Sequence, residues 1–498
     1  MRDWLSHRVV SSPDHTALIR AEDGEAWTYT DLDRLVSETA GRLVAHGIEP
    51  DDRLGVLTPA YVGTVGLVHA AMRIGATFVP LGEELTEREL AERVERADLD
   101  AVVCAEPTED AALGAVEECG ADVDVPVLSV DDPAAEAVTA VHDVEPDPIE
   151  STEWEDSEYL CILFTSGTTG EPKPVPLTAG NVYSSAVASA FRLGVDHGDR
   201  WLVSLSLQHM GGLAPVYRSA LYGTTLVLRE GFDPGGTADD IDTYDVTGIS
   251  LVPTMLKRML DRRGTLSDTL RVVLLGGAPA PDELIERCRD YSVPVYPTYG
   301  MTETASQVAT ATPTQAFENP GTVGQPLMFT KVAIIDDGDS CAPGETGEIV
   351  IDGPTVTPGY LDDEATRRVF DERGLHTGDL GYRDEHGRLY VVGRIDDRIV
   401  TGGENVEPGE VQSVIESHPA VAESAVVGIP DQEWGERVGA LVVPQNDTEP
   451  DPDEIESLCR AELASFKFPK SIAIGEAIPR TVSGTVDREA VIERIRHS

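Results

Sequence analysis

The sequence predicts an α/β fold: a large N-terminal domain of layered αβ sheets carrying a β-rich subdomain, followed by a smaller C-terminal α+β domain. Three observations predict it. Strand-like apolar runs alternate with amphipathic helical stretches through the first half of the chain. Near Lys331 that pattern gives way to short strands and turns, and after Asp396 it changes again to a mixed strand–helix module. A chain of 498 residues is too long for one hydrophobic core. The expected domains are therefore 1–395, with the β-rich subdomain at about 331–395, and 396–498.

Taken in order, Arg53-Leu54-Gly55-Val56-Leu57 reads as a strand and Tyr61 to Gly75 as the helix packed after it. Ala101-Val102-Val103-Cys104 is a second strand, and Tyr159 to Phe164 is a short apolar run of buried-strand type. This alternation argues for parallel sheets covered by helices. Residues 143–157, rich in Asp, Glu and Pro, read as an exposed connection. Gly347-Glu348-Ile349-Val350-Ile351 typifies the short strands of the β-rich part.

The charge balance is extreme, with 89 acidic residues against 38 basic ones and a net charge of −51. Such a surface repels nucleic acid and anionic lipid, so neither is an expected partner. No apolar run has the length to span a bilayer, and no stable membrane insertion is expected. Lysine is scarce: only Lys173, Lys257, Lys331, Lys467 and Lys470. An acidic, lysine-poor surface resembles that of proteins from extreme halophiles. An acidic partner-binding face is the alternative, but the acidity runs along the whole chain. The cysteines at 104, 119, 161, 288, 341 and 459 have no metal-ligand spacing and read as free thiols in a reducing compartment. The opening Met1-Arg2-Asp3-Trp4-Leu5 lacks a signal-peptide core, which makes the cytoplasm the expected location. Oligomeric state is not specified.

The apolar run ending at Phe164 leads into Thr165-Ser166-Gly167-Thr168-Thr169-Gly170-Glu171-Pro172-Lys173. Hydroxyls, glycines and their backbone N–H groups can surround phosphate oxygens, with Lys173 as the cation. It is not a Walker A loop, because Lys173 is followed by Pro174 rather than Ser or Thr. By itself the stretch reads first as an ordinary Gly/Thr surface turn.

The same stretch resembles the phosphate loop of the adenylate-forming superfamily, which includes acyl-CoA synthetases, peptide-synthetase adenylation domains and luciferases. Further motifs follow in that family's order. Gly276-Gly277-Ala278-Pro279 resembles its adenine-binding strand end, and Tyr299-Gly300-Met301-Thr302-Glu303 its Y-G-x-T-E motif. Thr377-Gly378-Asp379 resembles its ribose motif, Gly393-Arg394-Ile395-Asp396-Asp397 its hinge, and Gly402-Gly403-Glu404-Asn405 its C-terminal glycine loop. The resemblance covers nearly the whole chain.

It implies an ATP-dependent acid–CoA ligase. A carboxylate oxygen attacks the α-phosphorus of ATP to form an acyl-adenylate and pyrophosphate; coenzyme A then takes the acyl group and AMP leaves. Crowded negative charge calls for Mg²⁺ and fixed donors. The resemblance implies Glu303 as Mg²⁺ ligand, Thr302 as donor to the α-phosphate, Tyr299 stacked on adenine, Asp379 accepting from both ribose hydroxyls, and Arg394 supporting the nucleotide. Singly, Glu303 could be a surface acid, Tyr299 a core aromatic and Asp379 a turn residue. Asp396 matches the hinge about which the small domain turns between half-reactions, bringing Gly402-Gly403 towards the pantetheine tunnel.

One motif departs from the family. Its P-R-T-x-S-G-K appears here as Pro479-Arg480-Thr481-Val482-Ser483-Gly484-Thr485, with Thr485 at the lysine position. An active ligase with altered charge compensation is expected, drawing on Lys467, Lys470, Arg480 or potassium ion. The opposite expectation is a nucleotide-binding homologue that adenylates weakly.

Ser204 to Leu213 resembles the family's pocket-entry segment, which makes His209 a gate; a packed histidine beside Gly211-Gly212 is the plainer alternative. No Asp stands there to hold an α-ammonium group, which disfavours an amino acid as substrate. Three local features resemble the o-succinylbenzoate–CoA ligase branch of the family, which serves menaquinone biosynthesis: Leu177-Thr178-Ala179-Gly180-Asn181, the run from His209 to Gly223, and Thr302 to Val308. Such an acid carries a second carboxylate, costly to bury without a partner. Arg218, Ser306 and Gln307 are the candidate partners, with a surface salt bridge as an almost equal alternative for Arg218. The competing functions are CoA ligation of another aryl or short-chain acid and a luciferase-like oxygenase.

Overall fold

The computed structural model describes residues 2–120, 125–166, 172–401, 404–406, 408–431, 434–445, 448, 450–480 and 486–497, without the side chains of Ser166, Asp396, Glu404 and Asn405. By compactness the chain forms two units, one of 1–332 with 351–375 and one of 333–350 with 376–498. The β-rich stretch thus groups largely with the C-terminal residues.

The first unit contains two sheets. One runs in the order Thr139–Ala140, Val127–Ser129, Ala101–Cys104, Arg53–Leu57, Thr77–Pro80, Tyr159–Ser166 and Pro172–Thr178. All neighbours pair in parallel except the last two, which form an antiparallel hairpin. The other runs Gln325–Pro326, Ala309–Thr310, Val295–Tyr299, Val272–Leu275, Gly248–Leu251, Arg200–Val203, Thr225–Leu228, Thr16–Arg20 and Ala26–Thr28. Its middle six strands are parallel, with short antiparallel strands at both ends. Runs such as Val272–Leu275 are buried throughout because helices cover both faces of a parallel sheet.

The helix expected at Tyr61–Gly75 spans Val62–Ile74, with Tyr61 as its N-cap. Gly75 ends it at φ 96, a left-handed position that glycine takes without strain. This helix, with Trp4–Ser11, Tyr29–Ala45 and Met210–Tyr222, shares one core with strands of both sheets. Inside that core Arg73 pairs with Asp3 at 3.3 Å and Asp33 at 2.7 Å, so each buried charge is compensated. The connection 143–157 is mostly exposed, as its composition predicts, but Trp154 is buried and its indole N–H donates to the Met72 carbonyl at 2.8 Å.

The second unit holds most of a sheet in the order Asp339–Ser340, Lys331–Asp336, Gly347–Asp352, Gly374–Arg383 and Phe370–Asp371, with Leu389–Arg394 paired to Gly374–Arg383. It also holds a sheet centred on the long antiparallel pair Val421–Asp431 and Gly435–Pro444. Helices Pro408–Glu416 and Pro452–Glu462 bury one face of that sheet and Arg488–His497 the other. Among the described residues, no helix is long and apolar enough to cross a membrane.

Candidate active site

The hairpin Tyr159–Ser166/Pro172–Thr178 sets Thr165 opposite Lys173. Gly167, Thr168, Thr169 and Gly170 lie outside the described residues. Lys173 projects its ammonium over the ring of Tyr360, 5.4 Å from the centroid.

Val272–Leu275 and Val295–Tyr299 are parallel neighbours with Leu275 opposite Pro297. Gly276, Gly277, Ala278 and Pro279 therefore leave the sheet beside Tyr299 and Gly300, at strand C-termini where open α/β sheets bind ligands. Gly277 has φ 80. At Gly300 any side chain is excluded, because a Cβ would stand 1.7 Å from the Ser306 carbonyl oxygen. The chain doubles back there, and Thr302–Thr304 forms a 3₁₀ turn.

That turn buries Glu303, which is 5% exposed. The Glu303 carbonyl accepts from the Thr357 N–H at 2.8 Å, and its Oε1 accepts from the Tyr360 phenol at 2.8 Å. Glu303 is thus not a surface acid. Tyr360 is a site residue that motif reading missed; the Gly359-Tyr360 pair carries no periodic signal. Among the described residues, no group of three His, Cys, Asp or Glu side chains could hold a metal unaided. One buried carboxylate held by a phenol fits Mg²⁺, a hard cation that keeps waters and arrives on substrate phosphates.

Arg218 lies on Met210–Tyr222 and is 7% exposed, which overturns the surface salt-bridge alternative. Its guanidinium donates to Gln307 Oε1 at 3.3 Å and Ser185 Oγ at 3.1 Å. Among the described residues no carboxylate lies within 4.0 Å of it; burial lowers its pKa. Ser185 is the second residue missed. Its hydroxyl donates to the Ala305 carbonyl at 2.7 Å, linking the helix Ala179–Leu193 to the turn after Glu303. Ser306 sits in that turn at φ 115, a strained value for a residue with a Cβ, and is not among the described hydrogen-bond partners of Arg218, which are Gln307 and Ser185. The T-x-G-N stretch is explained by capping: Asn181 bonds Thr178 reciprocally, and its Nδ2 donates to the Pro354 and Val356 carbonyls at 2.9 Å each.

His209 is the N-cap residue of Met210–Tyr222 and is exposed, so it is not a packed core histidine. Partial desolvation lowers its pKa; Glu84 opposes the shift and Arg93 reinforces it. Nearby, a cavity of about 420 Å³ opens at the C-terminal ends of strands from both sheets, lined by Thr58, Phe78, Ser204, Gln208, Arg229 and Glu230 among others.

In the second unit Asp379 and Arg394 stand opposite each other on antiparallel strands, and Arg394 Nη1 donates to Asp379 Oδ1 at 3.0 Å. Arg394 thus orients the carboxylate expected to meet ribose. Gly402, Gly403 and Thr485 lie outside the described residues. Of the cations considered in place of the missing lysine, Lys467 is paired with Glu410 and Arg480 with Glu423. Lys470 stacks on Phe468 at 6.0 Å and makes no ion pair among the described residues.

The family model for AMP-binding enzymes matches residues 5–361, and that for the AMP-binding enzyme C-terminal domain matches 410–485. The chain is 37% identical to the 2-succinylbenzoate–CoA ligase of Bacillus licheniformis over 487 residues, covering 98% of each. It is also 37% identical to that of Listeria monocytogenes over 496 residues, covering 99% of each. Among solved structures it is similar to o-succinylbenzoate CoA synthetase from Bacillus subtilis in complex with the acyl-adenylate OSB-AMP, at TM-score 0.90 and 34% identity, covering 99% of this chain and 98% of the other. The same enzyme with ATP and magnesium ion gives TM-score 0.88 at 34% identity, covering 98% and 99%.

Proposed function

The chain belongs to the AMP-binding enzyme family, and from that membership we propose that it is an AMP-forming acid–CoA ligase acting on o-succinylbenzoate in menaquinone biosynthesis. The observation that carries the choice of acid is Arg218. A buried guanidinium whose hydrogen-bond partners among the described residues are all neutral fits a substrate that brings a second carboxylate. A long-chain fatty acid has no second carboxylate to compensate that charge.

In this reading Tyr299 stacks on adenine beside Gly276–Pro279, and Asp379, held by Arg394, accepts from the ribose hydroxyls. Thr302, Lys173 and the loop 165–170 donate to the phosphates. Mg²⁺, when bound at Glu303, draws negative charge from the triphosphate oxygens. The acid's carboxylate oxygen displaces pyrophosphate from the α-phosphorus. The thiol of coenzyme A then attacks the acyl carbon, and AMP departs as the thioester forms. His209 gates the acid pocket. Between the two steps the domain 396–498 turns about Asp396 and brings Gly402-Gly403 to the thiol arm. A cytoplasmic location is supported by six free cysteines, and a halophilic habit by the net charge of −51.

The test is an assay in concentrated KCl with ATP, Mg²⁺, coenzyme A and a panel of acids, following pyrophosphate and thioester separately. Thioester with o-succinylbenzoate alone is the expected result. Turnover of other acids in preference would keep the ligase and discard the substrate. ATP binding without pyrophosphate from any acid would favour the weakly adenylating homologue instead.

A further inference from the structure

Tyr360 stands between two opposite charges. Its phenol donates to Glu303 Oε1 at 2.8 Å, and the Lys173 ammonium lies 5.4 Å from its ring centroid. A lysine and a glutamate bordering one side chain gain electrostatically by pairing directly. Yet among the described residues Lys173 makes no ion pair within 4.0 Å. A direct pair would spend the charge a phosphate needs and the oxygen a cation needs.

The segment carrying Tyr360 is held from several sides. Asn181 holds the Pro354 and Val356 carbonyls. The Thr357 hydroxyl donates to the Pro176 carbonyl at 2.6 Å, and the Thr357 N–H to the Glu303 carbonyl at 2.8 Å. The Leu361 N–H reaches the Pro174 carbonyl at 3.3 Å, next to Lys173. Gly359 makes the sharp entry at φ 144, where a Cβ would meet the Thr366 side chain. The phenol is thus placed by backbone anchored to the strand Pro172–Thr178, the turn Thr302–Thr304 and the helix Ala179–Leu193 rather than by its own rotamer alone.

We propose that Tyr360 is a positioning residue that orients the Glu303 carboxylate for the divalent cation accompanying ATP and, through its ring, keeps Lys173 from neutralising that carboxylate. The inference rests on the reading of Glu303 as the metal-facing acid.

The experiment measures Mn²⁺ binding to the full-length enzyme with a non-hydrolysable ATP analogue, by electron paramagnetic resonance in concentrated KCl. It compares wild type, Tyr360→Phe and Glu303→Gln. Tyr360→Phe keeps the ring and removes one hydrogen bond to a charged group, so Mn²⁺ affinity falls about tenfold. Activity at limiting Mg²⁺ falls with it and recovers at saturating Mg²⁺. Glu303→Gln weakens Mn²⁺ binding further and is not rescued. Wild-type Mn²⁺ affinity in Tyr360→Phe alone, with or without a lower melting temperature, would overturn the positioning role and leave Glu303 as ligand. Wild-type affinity in both variants would overturn the reading of Glu303 and this inference with it.

Discussion

Replacing Arg218 by methionine separates a substrate-binding role from a structural one. The side chain is 7% exposed and bonds two neutral groups at 3.1 and 3.3 Å. Exchanging a buried charge without an acidic partner for an apolar chain of similar length is neutral or stabilising for the fold, so the melting temperature holds or rises. Binding of a dicarboxylate responds differently, because its second carboxylate is left desolvated and unpaired. Losing one partner of a buried charge pair costs about 2–5 kcal/mol, which is roughly 30- to 5,000-fold in kcat/KM. An analogue lacking the second carboxylate should lose little. The assay is thioester formation with both acids, beside a thermal melt in the same KCl. Equal losses on both acids would refute the reasoning, and a lowered melting temperature would show that Arg218 serves the fold.

Thr485→Lys should accelerate pyrophosphate release by about 10²- to 10³-fold if the absent cation limits adenylation, by analogy with a lost oxyanion donor; an unchanged rate would show that compensation is already complete. His69 is buried beside Asp3 and Arg73, and burial lowers its pKa from 6.5 to about 4. Its folded pKa lies below its unfolded one, so stability is full above pH 6.5 and is lost as the pH falls towards 4, by about 3 kcal/mol. Denaturant titrations across that window should show the slope, and His69→Phe should flatten it. The net charge of −51 predicts that the fold needs screening salt; a native circular dichroism spectrum at low ionic strength would contradict this.

Local pattern explains why much of the fold was legible. Runs such as Arg53–Leu57 and Ala101–Cys104 are short, apolar and β-rich, and they form strands with those bounds. Tyr61 and Gly75 bracket a helix because an extended cap and a left-handed glycine are local properties. The glycines of the motifs were legible for the same reason: Gly300 admits no Cβ whatever its distant neighbours do. Trp154 shows the limit. An acidic, proline-rich stretch predicts exposure, and only the groove holding the Met72 carbonyl could bury the indole.

The sequence alone determined the α/β class, the family resemblance, the expected reaction and the charged, lysine-poor surface, because each is carried by residue types and spacings along the chain. Tertiary structure decided which side chains meet. Arg218 is buried against Gln307 and Ser185 rather than paired at the surface, Arg394 holds Asp379, and Tyr360 reaches Glu303 from 57 residues away. Strand register and helix packing set those meetings, and neither is written in any single segment of the chain.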